Sequence, residues 1–239
     1  MKPLVVFAYD FPHKKTQDVL LTLFGLGYPV GWVIAAPWKK LNIPSSALRV
    51  KVKHEVLFHP RQLAERLKAE YIATSHNSDE LQELLARIEP ELGVIAGARI
   101  LKKPVIQAFS IGIINLHPGL IPEVRGLDAM QWAIYQDLPL GVTAHLIDHR
   151  VDAGRILVKK RIPVYEDDTL FDVSERLYEH QLLVLGDGIE RARKGLWEEL
   201  TPSSSQKANS KMPAELERQI PVLFEEYRKR WVRKRAEAS

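Results

Sequence analysis

Short apolar runs alternate with amphipathic stretches along most of this 239-residue chain, and that alternation limits the folds open to it more than any other feature. Strand-like runs fall at Leu4–Ala8, Val30–Ala36, Leu92–Ala96, Ile111–Leu116 and Val142–Ile147. Several are apolar at every position, as strands covered by helices on both faces tend to be. Between them, Thr16–Leu26 repeats Val19, Leu20, Leu23 and Phe24 at helical spacing, and Asp79–Ile88 repeats Leu81, Leu84, Leu85 and Ile88. Leu127–Tyr135 and Leu170–Ile189 read as helices too. The pattern predicts an α/β domain around a mostly parallel sheet flanked by helices. After Gly141 the rhythm changes. GVTAHLID and RILVKKRIPV are two strand-like runs joined by the turn-forming HRVDAG, and Thr169 is placed to cap the long helix that follows.

Residues 1–200 are expected to form one domain, long enough to bury a full core. TPSSSQKANSKM has no period and marks 201–212 as a linker. Residues 213–239 are expected to add a short C-terminal helical extension, with Leu216, Ile220, Leu223, Phe224, Tyr227 and Trp231 on one face and basic residues on the other. A stripe this wide predicts burial, either on the body or against a second copy in a homodimer. The net charge of +4 also resides there: from Lys207 onward nine Lys/Arg face five Asp/Glu, and the rest of the chain is balanced. The body therefore gives no electrostatic reason to expect nucleic acid as a partner. The absence of cysteine excludes disulfides, thiolate metal sites and a cysteine nucleophile, and fits a reducing compartment. No run approaches the ~18 apolar residues of a membrane span. MKPLVVFAYD ends its apolar run at Asp10 without a small-residue cleavage site, so it reads as a buried first strand and a cytoplasmic location is expected. No metal-ligand cluster stands out. GLGYPVG follows a helix and precedes a strand, the reverse of a dinucleotide fingerprint.

The chemistry-bearing stretch is Ile113–Gly154. Asn115 and His117 lie two apart in a strand and so share a face at its C-terminal end, where open α/β sheets bind ligands. An amide donor beside a titratable imidazole suits acyl transfer: the amide can donate to an oxyanion while the imidazole manages a proton. Asp152, in the turn VDAG, would raise the imidazole pKa and orient the ring if it reached His117. Taken singly, the three are also what a satisfied strand-end histidine, a turn asparagine and a turn aspartate look like.

Asn115, His117, Pro118, Leu120, Pro122, Arg125 and Gly126, then Gly141, Val142, Thr143 and His145, then Asp152 and Gly154, resemble in order and spacing the pattern of the folate-dependent formyltransferases. That superfamily includes glycinamide ribonucleotide formyltransferase, the catalytic domain of methionyl-tRNA formyltransferase and the sugar N-formyltransferases. The likeness extends more weakly from the first strand to about residue 195. It implies a Rossmann-like formyltransferase fold and transfer of a formyl group from N10-formyltetrahydrofolate, the donor co-substrate, to a small-molecule amine. It puts the catalytic triad on Asn115, His117 and Asp152. It also puts the folate pocket on Arg99, Ile100 and Leu101 of the R-I-L loop, with His149, Arg150, Val151 and Ala153 as a second wall. Lys102 and Lys103 would then meet the folate carboxylates or remain solvated.

The acceptor has to be read elsewhere. In glycinamide ribonucleotide formyltransferase a glycine-rich loop after the first strand binds the substrate phosphate; here that stretch is DFPHKKT, Asp10–Thr16. The methionyl-tRNA enzyme carries a C-terminal barrel, whereas 39 residues follow Leu200 here. The helix RGLDAMQWAI, with Trp132, is similar to that of the sugar N-formyltransferases. An amino sugar or sugar nucleotide is therefore the expected acceptor. A methionyl-tRNA or glycinamide ribonucleotide formyltransferase, a formyltetrahydrofolate hydrolase and a non-catalytic folate-binding module are the alternatives.

Overall fold

A computed structural model describes residues 2–40, 42, 44–48, 56–148, 154–200 and 208–237, with side chains to 232. The elements run β1 (Leu4–Tyr9), α1 (Lys14–Gly25), β2 (Val30–Ala36), α2 (Pro60–Arg66), β3 (Glu70–Ala73), α3 (Asp79–Ile88), β4 (Leu92–Ile95), α4 (Lys103–Gln107), β5 (Gly112–His117), α5 (Ala129–Tyr135), β6 (Gly141–Leu146), β7 (Arg155–Arg161), α6 (Leu170–Leu183), α7 (Leu185–Arg193), α8 (Ala214–Glu217) and α9 (Ile220–Glu237). The strands form a seven-stranded sheet of order β3-β2-β1-β4-β5-β6-β7. The first five are parallel, while β6 and β7 are antiparallel to their neighbours. This is the Rossmann-like, mostly parallel architecture expected from the sequence.

Alternation along the strands separates two apolar clusters. Leu4, Val6, Ala8, Val33 and Ala35 join residues of α1, α2, α6 and α7 in the larger one. Val5, Phe7, Ile34 and Ile113 face the other way, onto Leu81, Leu84 and Leu85 of α3 and Val105 of α4. The strand order reverses between β1 and β4, so their C-terminal ends diverge and open a crevice.

The helix boundaries follow local chemistry. Ser78 accepts from the Leu81 amide to start α3, with Asp79 and Glu80 in the first turn. Thr169 and Asp172 form a reciprocal capping box at α6. The sequence predicts one helix over Leu170–Ile189; the chain instead breaks at Val184, just before LGDG, whose glycines weaken helix continuity. The tail helix is likewise divided. Pro221 lacks an N–H and disfavours a continuous turn through residue 217, so α8 ends there and α9 restarts at Ile220.

The tail packs on its own body. Ile220, Phe224 and Tyr227 are buried in the larger cluster, and α9 lies against α5. Tyr227 Oη donates to Leu138 O at 2.8 Å, and Trp231 Nε1 to Asp137 Oδ1 at 3.0 Å. On its basic face Lys229 pairs with Glu226 at 2.9 Å, and Arg230 with Asp137 at 3.3 Å. Of the expected linker, 201–207 lie outside the described residues. Beyond them Asn209 bonds both sides of Gly126, donating to Arg125 O at 2.8 Å and accepting from Leu127 N at 3.0 Å. Gly126 has φ +91°, and a Cβ there would stand 2.1 Å from Asn209 O, which accounts for glycine at this position. Trp132 Nε1 holds Ser210 O at 3.0 Å, and Lys211 joins Asp128 and the buried Glu217, at 2.9 and 3.2 Å.

Behind the strand ends, His76 is buried, with Nε2 3.1 Å from Ile34 O and its ring edge-on to Phe7. Burial pushes its pKa down from 6.5 to about 4, against backbone hydrogen bonds to Ile34 and Ala8 that pull it up. The unfolded chain therefore takes a proton here before the folded one does. This contribution to stability is present above pH 6.5 and is lost progressively as pH falls toward 4. Unfolding midpoints measured across that window should fall with pH in the native protein and fall less steeply in His76→Gln.

Candidate active site

On β5, Ile113, Asn115 and His117 share a face; Ile114 and Leu116 point into the larger cluster. Ile113 is covered by the α3–α4 cluster. Beyond it the same face becomes polar and continues onto β6, because Asn115 is in register with His145 and His117 with Thr143. Helices α6 and α7 pack on β6, whose Val142, Ala144 and Leu146 enter the larger cluster. The polar row is thus a hydrogen-bonded surface on the face opposite those helices.

Each member is fixed. Asn115 is half-buried, and its Nδ2 lies 3.2 Å from Nε2 of the fully buried His145. As assigned, the amide donates and the His145 ring nitrogen accepts. His117 is 4% exposed, with Nε2 2.8 Å from Val124 O. A carbonyl only accepts, so His117 Nε2 carries a proton and Nδ1 is the nitrogen at which the ring titrates. Thr143 Oγ1 donates to Gly119 O at 2.7 Å and accepts from Ile121 N at 3.1 Å, which curls HPGLIP back over the strand end. Gly119 is required by close approach: a Cβ would meet His117 Nε2 and Val124 O, each at 2.8 Å.

The structure disperses the three R-I-L residues. Ile100 is 81% exposed; Leu101 is buried among the α3–α4 cluster. Arg99 turns the other way, its Nη2 donating to Pro37 O at 2.8 Å beyond the end of β2. Asn77 shapes the loop, donating to Ile100 O at 2.9 Å and accepting from Lys102 N at 2.7 Å. Asp152 and the wall residues His149, Arg150, Val151 and Ala153 lie outside the described residues. A cavity of about 370 Å³ lies where α4 meets the start of that turn, lined by Lys103, Ile106, Phe109, Ile147 and Asp148 among others. Among the described residues no His/Cys/Asp/Glu group could hold a metal, and no helix is long and apolar enough to cross a membrane.

Two contacts do not follow from the sequence. Lys15, one of two adjacent lysines, donates to Leu116 O at 3.0 Å and to Gln181 Oε1 at 2.9 Å, tying the β1–α1 turn to the strand that carries the site. His145 is visible as a motif residue, but its pairing with Asn115 follows only from the β5–β6 register.

The formyl transferase family matches residues 40–186. A methionyl-tRNA formyltransferase of Desulfotalea psychrophila is 38% identical over 124 residues, 51% of this chain and 38% of that protein. A GDP-perosamine N-formyltransferase of Brucella melitensis is 29% identical over 195 residues, 80% of this chain and 69% of that protein. The chain spans 33–56% of the length of the methionyl-tRNA relatives it matches. Among solved structures, glycinamide ribonucleotide transformylase 1 from Symbiobacterium toebii superposes with TM-score 0.61 at 21% identity, over 83% of this chain and 94% of that one. The formyltransferase PseJ from Anoxybacillus kamchatkensis, in complex with UDP-4,6-dideoxy-4-formamido-L-AltNAc and tetrahydrofolate, gives 0.51 at 20%, over 87% and 84%. These superpositions carry the fold alone. With more than half of its length matched and its motif residues gathered along β5 and β6, the chain belongs to the formyl transferase family.

Proposed function

We propose that this chain transfers a formyl group from N10-formyltetrahydrofolate to a primary amine on an amino sugar or sugar nucleotide. The observation that carries the reading is the row of Asn115 and His117, hydrogen-bonded in place on one face of β5. Apolar surface for a flat donor is offered by exposed Ile100 on its Asn77-shaped loop and by the cavity lined by Ile106, Phe109 and Ile147 at the Gly112 end of β5.

In this reading the acceptor nitrogen bonds to the formyl carbon as the bond from that carbon to N10 breaks; the amine loses one proton and N10 gains one. Asn115 donates from Nδ2 to the oxygen that becomes negative in between. His117, its Nε2 committed to Val124 O, carries a positive charge when Nδ1 is protonated and stabilises the same oxygen. Asp152, in the role the family pattern gives it, holds His117 cationic and relays the proton through water.

Support for a sugar-linked amine comes from two sources. The alignment that runs over 195 residues is to a GDP-perosamine enzyme. The β1–α1 stretch Asp10–Thr16 contains no glycine with which to cradle a small phosphate ester. The test is a panel of amines offered with N10-formyltetrahydrofolate. Amino-sugar nucleotides should support tetrahydrofolate formation; faster turnover with aminoacyl-tRNA, or formate release without any amine, would reassign the protein.

The packing around His117 adds a prediction. Gly119→Ala forces its Cβ against the imidazole and the Val124 carbonyl. A displacement of about 1 Å costs roughly 100-fold in rate. Steady-state kinetics should show kcat falling on that scale, with the circular dichroism spectrum unchanged.

A further inference from the structure

The end of the periodless stretch before the tail helices lies against the loop that leaves β5. Residues 209–212 run along 125–128, joined by a parallel bridge between Asn209 and Gly126. Asn209 N donates to Arg125 O at 2.8 Å, Asn209 O accepts from Leu127 N at 3.0 Å, and Ser210 O accepts from Trp132 Nε1 at 3.0 Å. Met212 seals the run, buried in the larger cluster. The clasp begins one residue after Val124, whose carbonyl lies 2.8 Å from His117 Nε2.

Asp128 is the N-cap of α5, yet its carboxylate makes no bond to that helix. A capping Asp ordinarily accepts from the first-turn amides. Here Asp128 Oδ2 accepts from Met212 N at 2.8 Å and from Lys211 Nζ at 2.9 Å instead. Its backbone is left-handed, φ +50° and ψ +40°, which a residue with a Cβ keeps only where its surroundings hold it. Lys211 Nζ reaches on to Glu217 Oε1 at 3.2 Å. Glu217 is buried and also accepts from Ala47 N at 2.6 Å and from Ser46 Oγ. Moving the lysine away would strand a buried carboxylate without its counter-charge, so the ammonium is held between its two partners.

We propose that Lys211 is a positioning residue for His117. Through Asp128 and the Asn209–Gly126 bridge it holds the 124–128 backbone and keeps Val124 O aimed at the imidazole. Thr143 fixes the entry of the HPGLIP curl, and the tail fixes its exit. The carbonyl favours the charged ring, because an acceptor on Nε2–H binds the imidazolium more strongly than the neutral imidazole. Slackening the clasp therefore lowers the His117 pKa and leaves less of the cationic form that stabilises the developing oxyanion. This deepens the formyl-transfer reading and rests on it for the role of His117.

The experiment compares Lys211→Met, which keeps an apolar stem and removes the charge, with Tyr227→Phe in the full chain. Tyr227→Phe loosens the same tail at Leu138 O, away from the clasp. Three quantities are read for each: kcat across pH, the NMR titration of the His117 imidazole, and the denaturant midpoint. Lys211→Met should lower kcat by about tenfold or more, toward the roughly 100-fold that a 1 Å misplacement costs, with KM unchanged. It should also move the His117 titration, and with it the basic limb of kcat, to lower pH. Tyr227→Phe should lower the midpoint and leave kcat and the titration as they are. Native kcat and a native His117 titration in Lys211→Met, or the same changes in Tyr227→Phe, would overturn the assignment. Should Lys211→Met not fold, Trp132→Phe decides, since it deletes the bond to Ser210 O and keeps an aromatic ring. A smaller shift of the titration in the same direction supports the clasp, and no shift overturns it. Turnover separates the two readings. A lowered His117 titration in a protein that formylates no amine keeps the clasp and sinks the activity. Formyl transfer that proceeds at the native rate in Lys211→Met keeps the activity and sinks the clasp.

Discussion

Asn115→Ala should lower kcat for formyl transfer by about 10²–10³-fold, the usual loss when one preorganised donor to a developing oxyanion is removed. The effect should fall on kcat and not on KM, because the oxygen bears its full charge only between substrate and product. The geometry makes the prediction specific. Asn115 is held from the side by His145 at 3.2 Å, so its amide is oriented before substrate arrives and little reorganisation remains to be made. The residue is half-buried at a strand end, outside both apolar clusters, so the variant should fold with native stability. Steady-state kinetics with saturating donor check it. A variant within about threefold of native kcat would remove the amide from the mechanism, since real donors of this kind count for far more.

Phe224→Ala should destabilise the whole protein by about 3–5 kcal/mol, the range for deleting a buried phenyl ring. Phe224 is 1% exposed. Its ring follows that of Tyr227 at 6.3 Å, which in turn follows Trp231 at 5.5 Å, and this ladder seats α9 on α5. If the tail is integral to the core, the denaturant midpoint drops in one cooperative transition and the slope with denaturant is unchanged. A loss under about 1 kcal/mol would mean that the extension is a separable appendage. Burial of Ile220, Phe224 and Tyr227 on the body takes up part of the apolar stripe.

Much of this was legible because residue pattern and burial coincide. Val30–Ala36 and Asp79–Ile88 are strand and helix over the very residues that periodicity marks, since both faces of one and a single stripe of the other meet the core. β3 was not, because EYIA is short and only half-buried at the sheet edge, where few apolar residues are required. α2 and α4 are too short, at seven and five residues, to show a period. In the tail the apolar stripe was readable, but Pro221 interrupts the helix beneath it.

At the site, the two-residue spacing of Asn115 and His117 gave the shared face directly. What lay opposite them did not follow from spacing, because strand register depends on how β6 returns, and so His145 beside Asn115 emerged only in three dimensions. Val124 O on His117 likewise depends on the loop folding back. In the R-I-L loop no periodicity distinguishes inward from outward residues, which is why Leu101 in the core and Arg99 turned to β2 could not be told apart beforehand.

The central claim is that the Asn115–His117 row moves a formyl group from folate to an amine. The most direct measurement follows an isotope-labelled formyl group on N10-formyltetrahydrofolate by NMR, with an amino-sugar nucleotide present. The label should appear in a formamide on the sugar, matched one for one by tetrahydrofolate, and should stay on the donor when His117→Ala replaces the native protein. Label appearing as free formate, or moving at the native rate in that variant, would contradict it.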